Sequence, residues 1–158
     1  MPPGDGRRLA EATRPFFIPW PRNEEDLVKL LYGPYRHPAL RVGQRAMCLY
    51  RDAEVVVYGW SAARIAWPLC YHVGTRAFGK GLLVDEELAR AVRLESAVAV
   101  AHWWGVSRAT VRKWRKVVGA GRKNNPGSQR LIRAAVLKAS ASREIMQHRD
   151  SRAASAKG

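Results

Sequence analysis

Apolar residues between positions 95 and 119 recur at the spacing of two helices that are separated by a short break. The inward positions of this pattern are Val100, Ala101, Trp104, Val106, Val111 and Trp114. Their three- and four-residue intervals place them along one face of each helix. Gly105 suits a turn that requires a positive φ angle, and Ser107 is a favourable N-cap for the second helix, residues 108–118. The pattern predicts a helix, a tight turn and a second helix that share one apolar seam.

Helical patterns also lie on both sides of this pair. Asp85 is a favourable N-cap for residues 86–94, where an apolar stripe repeats at intervals of three and four. Downstream, Ser128 can cap a last helix from residue 129 to about residue 147. Its apolar face is formed by Leu131, Ile132, Ala135 and Val136. We therefore expect a three-helix core followed by a terminal helix.

Earlier in the chain, the pattern changes to short segments that are typical of β-strands. Residues 44–50 and 54–60 are rich in β-branched and aromatic side chains, and a shorter segment, 64–67, is ended by a proline. These segments predict a three-stranded antiparallel meander that curls into a small SH3-like sheet. A short helix over residues 24–32, capped by Asn23, is expected to precede it.

Together, these elements predict an α+β fold with an N-terminal β-meander, a C-terminal three-helix unit and a terminal helix. Segment 73–84 contains three glycines but lacks the G-x-x-x-x-G-K-[ST] pattern of a phosphate loop, so we interpret it as a linker. The expected divisions are a disordered or extended arm (1–22), a small α+β region (23–72), the linker (73–84), the three-helix unit (85–119), a basic extension with the last helix (120–150) and a disordered tail (151–158).

Charge is distributed unevenly along the chain. The 28 Lys and Arg residues outnumber the 13 Asp and Glu residues, which gives a formal net charge of +15. Residues 1–75 hold 10 basic and 7 acidic side chains, a net of +3, whereas residues 76–158 hold 18 and 6, a net of +12. Residues 108–138 hold ten basic side chains and no acidic one. This concentration predicts a polyanionic partner for the C-terminal half.

The second helix of the pair directs several side chains away from the apolar seam. We expect Arg108 and Arg112 to pair with guanine edges in a major groove, and Ala109 to lie against a thymine methyl group. Thr110 faces either the helix seam or a phosphate. The predicted phosphate contacts, which give affinity without reading sequence, are Lys113, Arg115, Lys116, Arg122 and Lys123.

These residues form a pattern that is found in a known group of proteins. The pattern is A-x-x-x-G-V-S-x-x-T-V-x-x-W, with Ala101, Gly105, Val106, Ser107, Thr110, Val111 and Trp114. It resembles the DNA-binding helix-turn-helix of transposases, resolvases and phage-type regulators. With the downstream NNPGSQRL, the segment is also similar to small uncharacterised bacterial proteins and to modular DNA-binding segments that accompany homing nucleases. The resemblance covers at most about a third of the chain.

The resemblance implies that the partner is duplex DNA and that one face of the second helix contacts it. The DNA-facing residues that it implies are Ser107, Arg108, Ala109, Arg112 and Lys113. A transcription-regulating role and a mobile-element role are both compatible with the motif, because one fold serves many functions. An RNA-binding protein and a protein–protein adaptor that uses the basic face are the alternatives, and a homodimer is left open beside a monomer.

Other chemistries find little support in the sequence. The carboxylates form no recognisable catalytic spacing, so we expect no enzymatic activity. Cys48, Cys70, His72 and His37 lack a C-x-x-C spacing, so we expect no metal site and no cofactor. Two cysteines, no apolar run of about 18 residues and no secretory signal predict a cytoplasmic, nucleoid-associated location.

Overall fold

A computed structural model describes residues 24–74 and 79–157 of the chain. In chain order, the elements are α1 (Glu24–Val28), β1 (Arg45–Cys48), β2 (Ala53–Trp60), β3 (Pro68–His72), β4 (Gly81–Leu82), α2 (Glu86–Leu94), α3 (Ala97–Trp104), α4 (Arg108–Val118) and α5 (Pro126–Ser155). The described chain divides into two units, one that ends at Arg133 and a second one that begins at Ala134. The predicted arm, residues 1–22, and the cap at Asn23 lie outside the described residues.

The predicted α+β class is confirmed, with a sheet of four strands followed by helices. The strands pair antiparallel in the order β1-β2-β3-β4. Val55 and Val57 of β2 point into the core because alternate residues of a strand face the same side. The N–H of Leu49, just after β1, donates to the carbonyl of Val84, just after β4, at 2.8 Å. The likeness to an SH3-type sheet stays a prediction.

Two sequence predictions for the sheet are wrong. The third strand is Pro68–His72 and not residues 64–67, because the chain from Ser61 to Trp67 closes a loop through two hydrogen bonds. Proline begins the strand here, a position where its missing N–H costs no pairing. Residues 81–84 do not act as a linker: they contain β4, and Leu82, Leu83 and Val84 are buried.

The first helix ends at Val28 rather than at the predicted residue 32. The N–H groups of Leu31 and Tyr32 donate instead to the buried carboxylate of Glu95, at 3.0 and 2.7 Å, and so does the hydroxyl of Tyr35, at 2.9 Å. An acceptor from a distant part of the chain thus replaces the helical hydrogen bonds. This contact fixes the N-terminal segment to the residue that follows α2.

Helices α2, α3 and α4 follow the predicted pattern closely. Asp85 caps α2, where its side chain accepts from the N–H of Leu88 at 3.0 Å. The predicted inward residues Val100, Trp104, Val111 and Trp114 are buried, and Ala101 and Val106 are partly buried. The same core includes Tyr35, Val55, Trp67 and Leu83 from outside the three helices. Sheet and helices therefore support one another.

The last helix is longer than predicted and begins earlier. It spans Pro126–Ser155, so most of the tail that we expected to be disordered is helical. Asn125 is its cap in place of Ser128, because the Asn125 side-chain oxygen accepts from the N–H of Ser128 at 2.8 Å. Proline at the first helical position suits this start. In the second unit, α5 continues with Ala134 buried and residues 135–157 exposed.

Asn125 also connects the start of α5 to the end of α2. Its amide nitrogen donates to the carbonyls of Val92, Arg93 and Glu95, at 3.0, 2.9 and 2.8 Å. These carbonyls lie at a helix end, where they have no partner inside the helix. Within the described ranges, no helix is long and apolar enough to cross a membrane.

Candidate nucleic-acid interface

The turn between α3 and α4 has the geometry that the sequence predicted. Gly105 adopts a φ of 66° and a ψ of 38°, and Ser107 accepts from the N–H of Thr110 at 3.1 Å. A Cβ atom on Gly105 would lie 2.9 Å from the Cβ of Ala63, so both the left-handed backbone and the close packing favour glycine. The Thr110 hydroxyl lies 3.0 Å from that of Ser107. The turn therefore fixes the start of α4 against the loop that follows β2.

One face of α4 is open and basic. Val111 and Trp114 anchor the opposite face of the helix in the core. The exposed predicted site residues at the start of and along this helix are Ser107, Arg108, Ala109, Arg112, Lys113 and Lys116. Thr110 is half-buried beside the N-cap. Most of the predicted set is therefore available to a partner on one surface.

Arg115 departs from the predicted set because it is buried, with 9 % of its surface exposed. Its Nη2 donates to the carbonyl of Glu95 at 3.2 Å and to the Ser128 hydroxyl at 3.0 Å. Burial, and next the charge of Arg122, lower the pKa of the Arg115 guanidinium from its ordinary value. Arg115 is therefore buried, unlike the other predicted phosphate contacts Lys113 and Lys116, and its contact with a phosphate stays a prediction. It lies one position before Lys116, on the side of α4 that faces the start of α5.

A groove runs between the starts of α3 and α5 and the side of α4, and we call it the basic groove. It has a volume of about 560 Å³. Its cationic lining residues are Arg108, Arg112, Arg115, Lys116 and Arg122, and its other lining residues are Ser96, Ala97, Val98, Ala120, Gly121, Ser128, Leu131 and Ile132. Of the residues described as lining it, none is acidic. The groove thus brings four exposed cations and one buried cation to one place.

The loop after α4 holds Arg122 at the edge of the basic groove. The side-chain oxygen of Asn124 accepts from the N–H of Gly121 at 2.6 Å, and its amide donates to the carbonyl of Gly119 at 2.9 Å. The Gln129 amide donates to the carbonyl of Arg122 at 2.7 Å. Lys123 is exposed but does not line the groove. The two neighbouring cations of this loop are therefore not equivalent.

The other side of α4 faces the sheet across a smaller cavity of about 290 Å³. Lys113 and Thr110 line it from the helix, and Arg51 and Lys80 line it from the segments that precede β2 and β4. The ammonium group of Lys80 lies 5.6 Å from the centre of the Tyr58 ring. Two basic side chains from segments next to the strands therefore lie beside α4.

The two cysteines form a buried pair below Arg51. Both thiols are free, and the Arg51 Nη1 lies 3.4 Å from the Cys48 sulfur and 3.3 Å from the Cys70 sulfur. The hydrogen bond from the Cys70 thiol, helped by that from Arg51, lowers the pKa of Cys48, and the same bond raises the pKa of Cys70. In residues 24–74 and 79–157, no three His, Cys, Asp or Glu side chains are arranged to hold a metal ion.

Comparisons with known proteins found no match, so the function is argued from the geometry of the chain. No family model matches the chain, no curated protein is significantly similar to it, and no solved structure matches its fold.

Sequence reasoning missed the walls of the basic groove. Ser96, Ala97 and Val98 form the start of α3, where the Ser96 side chain accepts from the N–H of Ala99 at 3.2 Å. The sequence did contain one signal for this wall: Ser96 precedes an apolar helix that has no acidic residue in its first turn. Such a helix start keeps its partial positive charge. Of the four residues that the sequence placed on one face of the last helix, Leu131 and Ile132 line the groove, whereas Ala135 and Val136 are exposed and do not.

Proposed function

We propose that this chain is a non-enzymatic protein that binds duplex DNA in a sequence-specific manner and reads the major groove with α4. The observation that carries the proposal is the open basic face of α4, whose start is fixed by Gly105 and the Ser107 cap. A helix that enters a major groove presents the residues of its N-terminal half to base edges. We propose that Arg108, Ala109 and Arg112 take this role in the bound complex.

The flanking cations support binding to the DNA backbone. Phosphate contacts supply affinity that falls with salt: the logarithm of the binding constant decreases with the logarithm of the salt concentration, with a slope of about −0.9 for each neutralised phosphate. Lys113, Lys116, Arg122 and Lys123 are exposed on α4 and the loop after it, within the acid-free stretch of the sequence. If each neutralises one phosphate, these four contribute a slope of about −3.6.

A role in transcription regulation or in a mobile element, and a cytoplasmic, nucleoid-associated location, are part of the same proposal. Both are consistent with a basic protein that recognises a specific DNA sequence. The target sequence itself depends on the pairing of Arg108 and Arg112 with bases, which a selection experiment would define.

The test is a selection of bound sequences from random duplexes, followed by affinity measurements at several salt concentrations. Arg112→Ala should relax the preference at one base pair at a cost of about 1–3 kcal/mol on the preferred site. Lys116→Ala should weaken binding to all sequences equally and reduce the salt slope by about one. Arg45→Ala, an equal loss of charge on β1, is the control and should change neither property.

Two results would contradict the proposal. A uniform loss of affinity for every sequence in Arg112→Ala would exclude base reading by that side chain. Tighter binding to RNA than to duplex DNA at matched salt would favour an RNA partner, and no nucleic-acid affinity at about 50 mM salt, where phosphate contacts are strong, would favour an acidic protein partner.

A further inference from the structure

The guanidinium of Arg115 is a buried cation whose hydrogen-bonding capacity is only partly used. Its Nη2 donates to one carbonyl and one hydroxyl, and its Nε has no hydrogen-bond partner among the described residues. Burying a charge is costly unless an opposite charge or a full set of hydrogen bonds compensates for it. The Nε is covered by protein atoms, so it is the uncompensated charge of the guanidinium in the groove lining that indicates an anion beside it.

No carboxylate of the described chain provides that compensation. Glu95 meets Arg115 only through its backbone carbonyl, because its carboxylate accepts from Leu31, Tyr32 and Tyr35. Three ion pairs seen among the described residues join Arg45 to Glu54, Arg90 to Glu87 and Arg93 to Glu86, and Arg115 takes part in none of these three. The lowered pKa of Arg115 is consistent with a cation that lacks an acidic partner.

The start of α3 adds a second attraction for an anion at the same place. Its first N–H groups have no acceptor inside the helix, and its first turn contains no acidic residue. A Cβ atom on Gly127 would lie 2.7 Å from the carbonyl carbon of Glu95, so α5 begins in direct contact with the residues before α3. This close approach brings Ser128, and with it the Arg115 side chain, to the helix start.

We propose that the basic groove is a binding site for one tetrahedral phosphate group, held by Arg115, Arg122 and the N–H groups at the start of α3. Helix starts and arginine side chains both recognise phosphate oxygens. Two sources share this chemistry, a phosphodiester of a nucleic-acid backbone and free inorganic phosphate. The proposed DNA-binding function is needed only for the first source.

The shape of the groove favours the phosphodiester. Its volume of about 560 Å³ is large for a single inorganic ion, and Ala97, Leu131 and Ile132 give it an apolar wall. Sugar carbons on either side of a backbone phosphate would cover that wall, whereas free phosphate would leave it in water. A phosphate held here would fix the register of α4 on the duplex, because phosphate contacts set orientation.

The first experiment is a titration of the full chain with inorganic phosphate, followed by amide and arginine side-chain NMR. A chloride titration at matched ionic strength is the control. We expect saturable shifts at the amides of Ala97 and Val98 and at the Arg115 Nε–H with phosphate alone. Equal shifts with chloride, or shifts that rise without saturation at all exposed cations, would overturn the site.

The second experiment places a carboxylate in the groove through Val98→Glu. Val98 is half-buried in the groove lining and lies in the first turn of α3, where an acidic residue is favourable for the helix. The variant should therefore fold and should lose phosphate affinity by about tenfold or more, as expected for a lost charge-assisted interaction. Val136→Glu makes the same change at an exposed helical position and should leave the affinity unchanged.

A second pair of variants removes a charge instead of adding one. Arg122→Ala should weaken phosphate binding by about three- to tenfold, and Lys123→Ala, its exposed neighbour outside the groove lining, should change it less than twofold. Equal losses in both variants would mean that phosphate responds to net charge alone, which contradicts a built site.

Duplex DNA, titrated into the same variants, separates this site from the proposed function. Weaker duplex binding by Val98→Glu than by Val136→Glu would support the site and the backbone as its source. Saturable phosphate binding without any duplex affinity would support the site with free phosphate as its source, and would refute the DNA-binding function. Normal duplex binding by Val98→Glu without saturable phosphate binding would overturn the site and leave the function standing.

Discussion

The carboxylate of Glu95 joins the N-terminal segment to the helical unit, and its replacement tests how strongly this junction stabilises the fold. One oxygen, Oε1, accepts from the N–H groups of Leu31 and Tyr32 and from the Tyr35 hydroxyl, whereas Oε2 accepts only from the N–H of Leu31, which both oxygens share. Glu95→Gln can keep its oxygen at the Oε1 position and retain all three donors. Glu95→Ala leaves all three without a partner.

The two variants should therefore differ in stability by a predictable amount. The glutamine loses the negative charge and directs an amide group towards the N–H of Leu31, at a cost of about 1–2 kcal/mol. The alanine leaves buried donors unpaired and removes buried volume, which should lower the free energy of unfolding by about 3–5 kcal/mol. Glu54→Ala, which breaks a 4.0 Å ion pair between exposed side chains, should cost less than about 0.5 kcal/mol.

Urea unfolding of the three variants, followed by circular dichroism, measures these differences. The dependence of the unfolding free energy on urea concentration should be the same in all three. The reasoning would be refuted if Glu95→Gln were as destabilising as Glu95→Ala, because the retained oxygen would then have no role. It would also be refuted if Glu95→Ala were no less stable than Glu54→Ala, because the carboxylate would then not act as a buried acceptor.

Three further predictions concern other positions. Ser107→Ala removes the 3.1 Å cap of α4 and should lower the free energy of unfolding by about 1 kcal/mol in urea titrations; no loss would show that the cap is dispensable. Gly127→Ala forces a Cβ atom against Glu95 and should lower stability by about 1–3 kcal/mol, whereas Gly121→Ala meets its nearest neighbour at an ordinary 3.7 Å; equal melting temperatures would contradict the clash. Because its pKa is lowered from the ordinary value of 9.0, the Cys48 thiol should ionise at a lower pH than an ordinary cysteine, and the ultraviolet absorbance of the thiolate measures this transition. Cys70→Ala removes the hydrogen-bond donor and should move the midpoint to higher pH. An unchanged midpoint would contradict the assigned cause.

The sequence by itself determined the bounds of α2 and α4 and the turn before α4 with nearly residue accuracy. Gly105, Ser107 and Asp85 lie where the sequence predicted a left-handed turn and two caps, and α2 and α4 have the predicted bounds. These features depend on residues only three or four positions apart, so the information is local. The exposed face of α4 followed from the same periodicity.

Tertiary structure decided the ends of elements and the buried polar contacts. The first helix stops at Val28 because Glu95, more than 60 positions later in the chain, takes the N–H groups of Leu31 and Tyr32. The third strand begins at Pro68 because its partners lie in β2 and β4, and a strand ends where its pairing ends.

The position of Arg115 shows most clearly what only the tertiary structure decides. The sequence predicted it as a phosphate contact together with Lys113 and Lys116, yet the start of α5 covers it through Ser128, and the close contact of Gly127 permits that approach. The basic groove likewise combines residues near positions 96–98, 108–116 and 120–132. The sequence therefore determined which residues carry charge and on which helix face. The packing of three segments decided which of those charges meet at one place, because a groove exists only where separate elements come together.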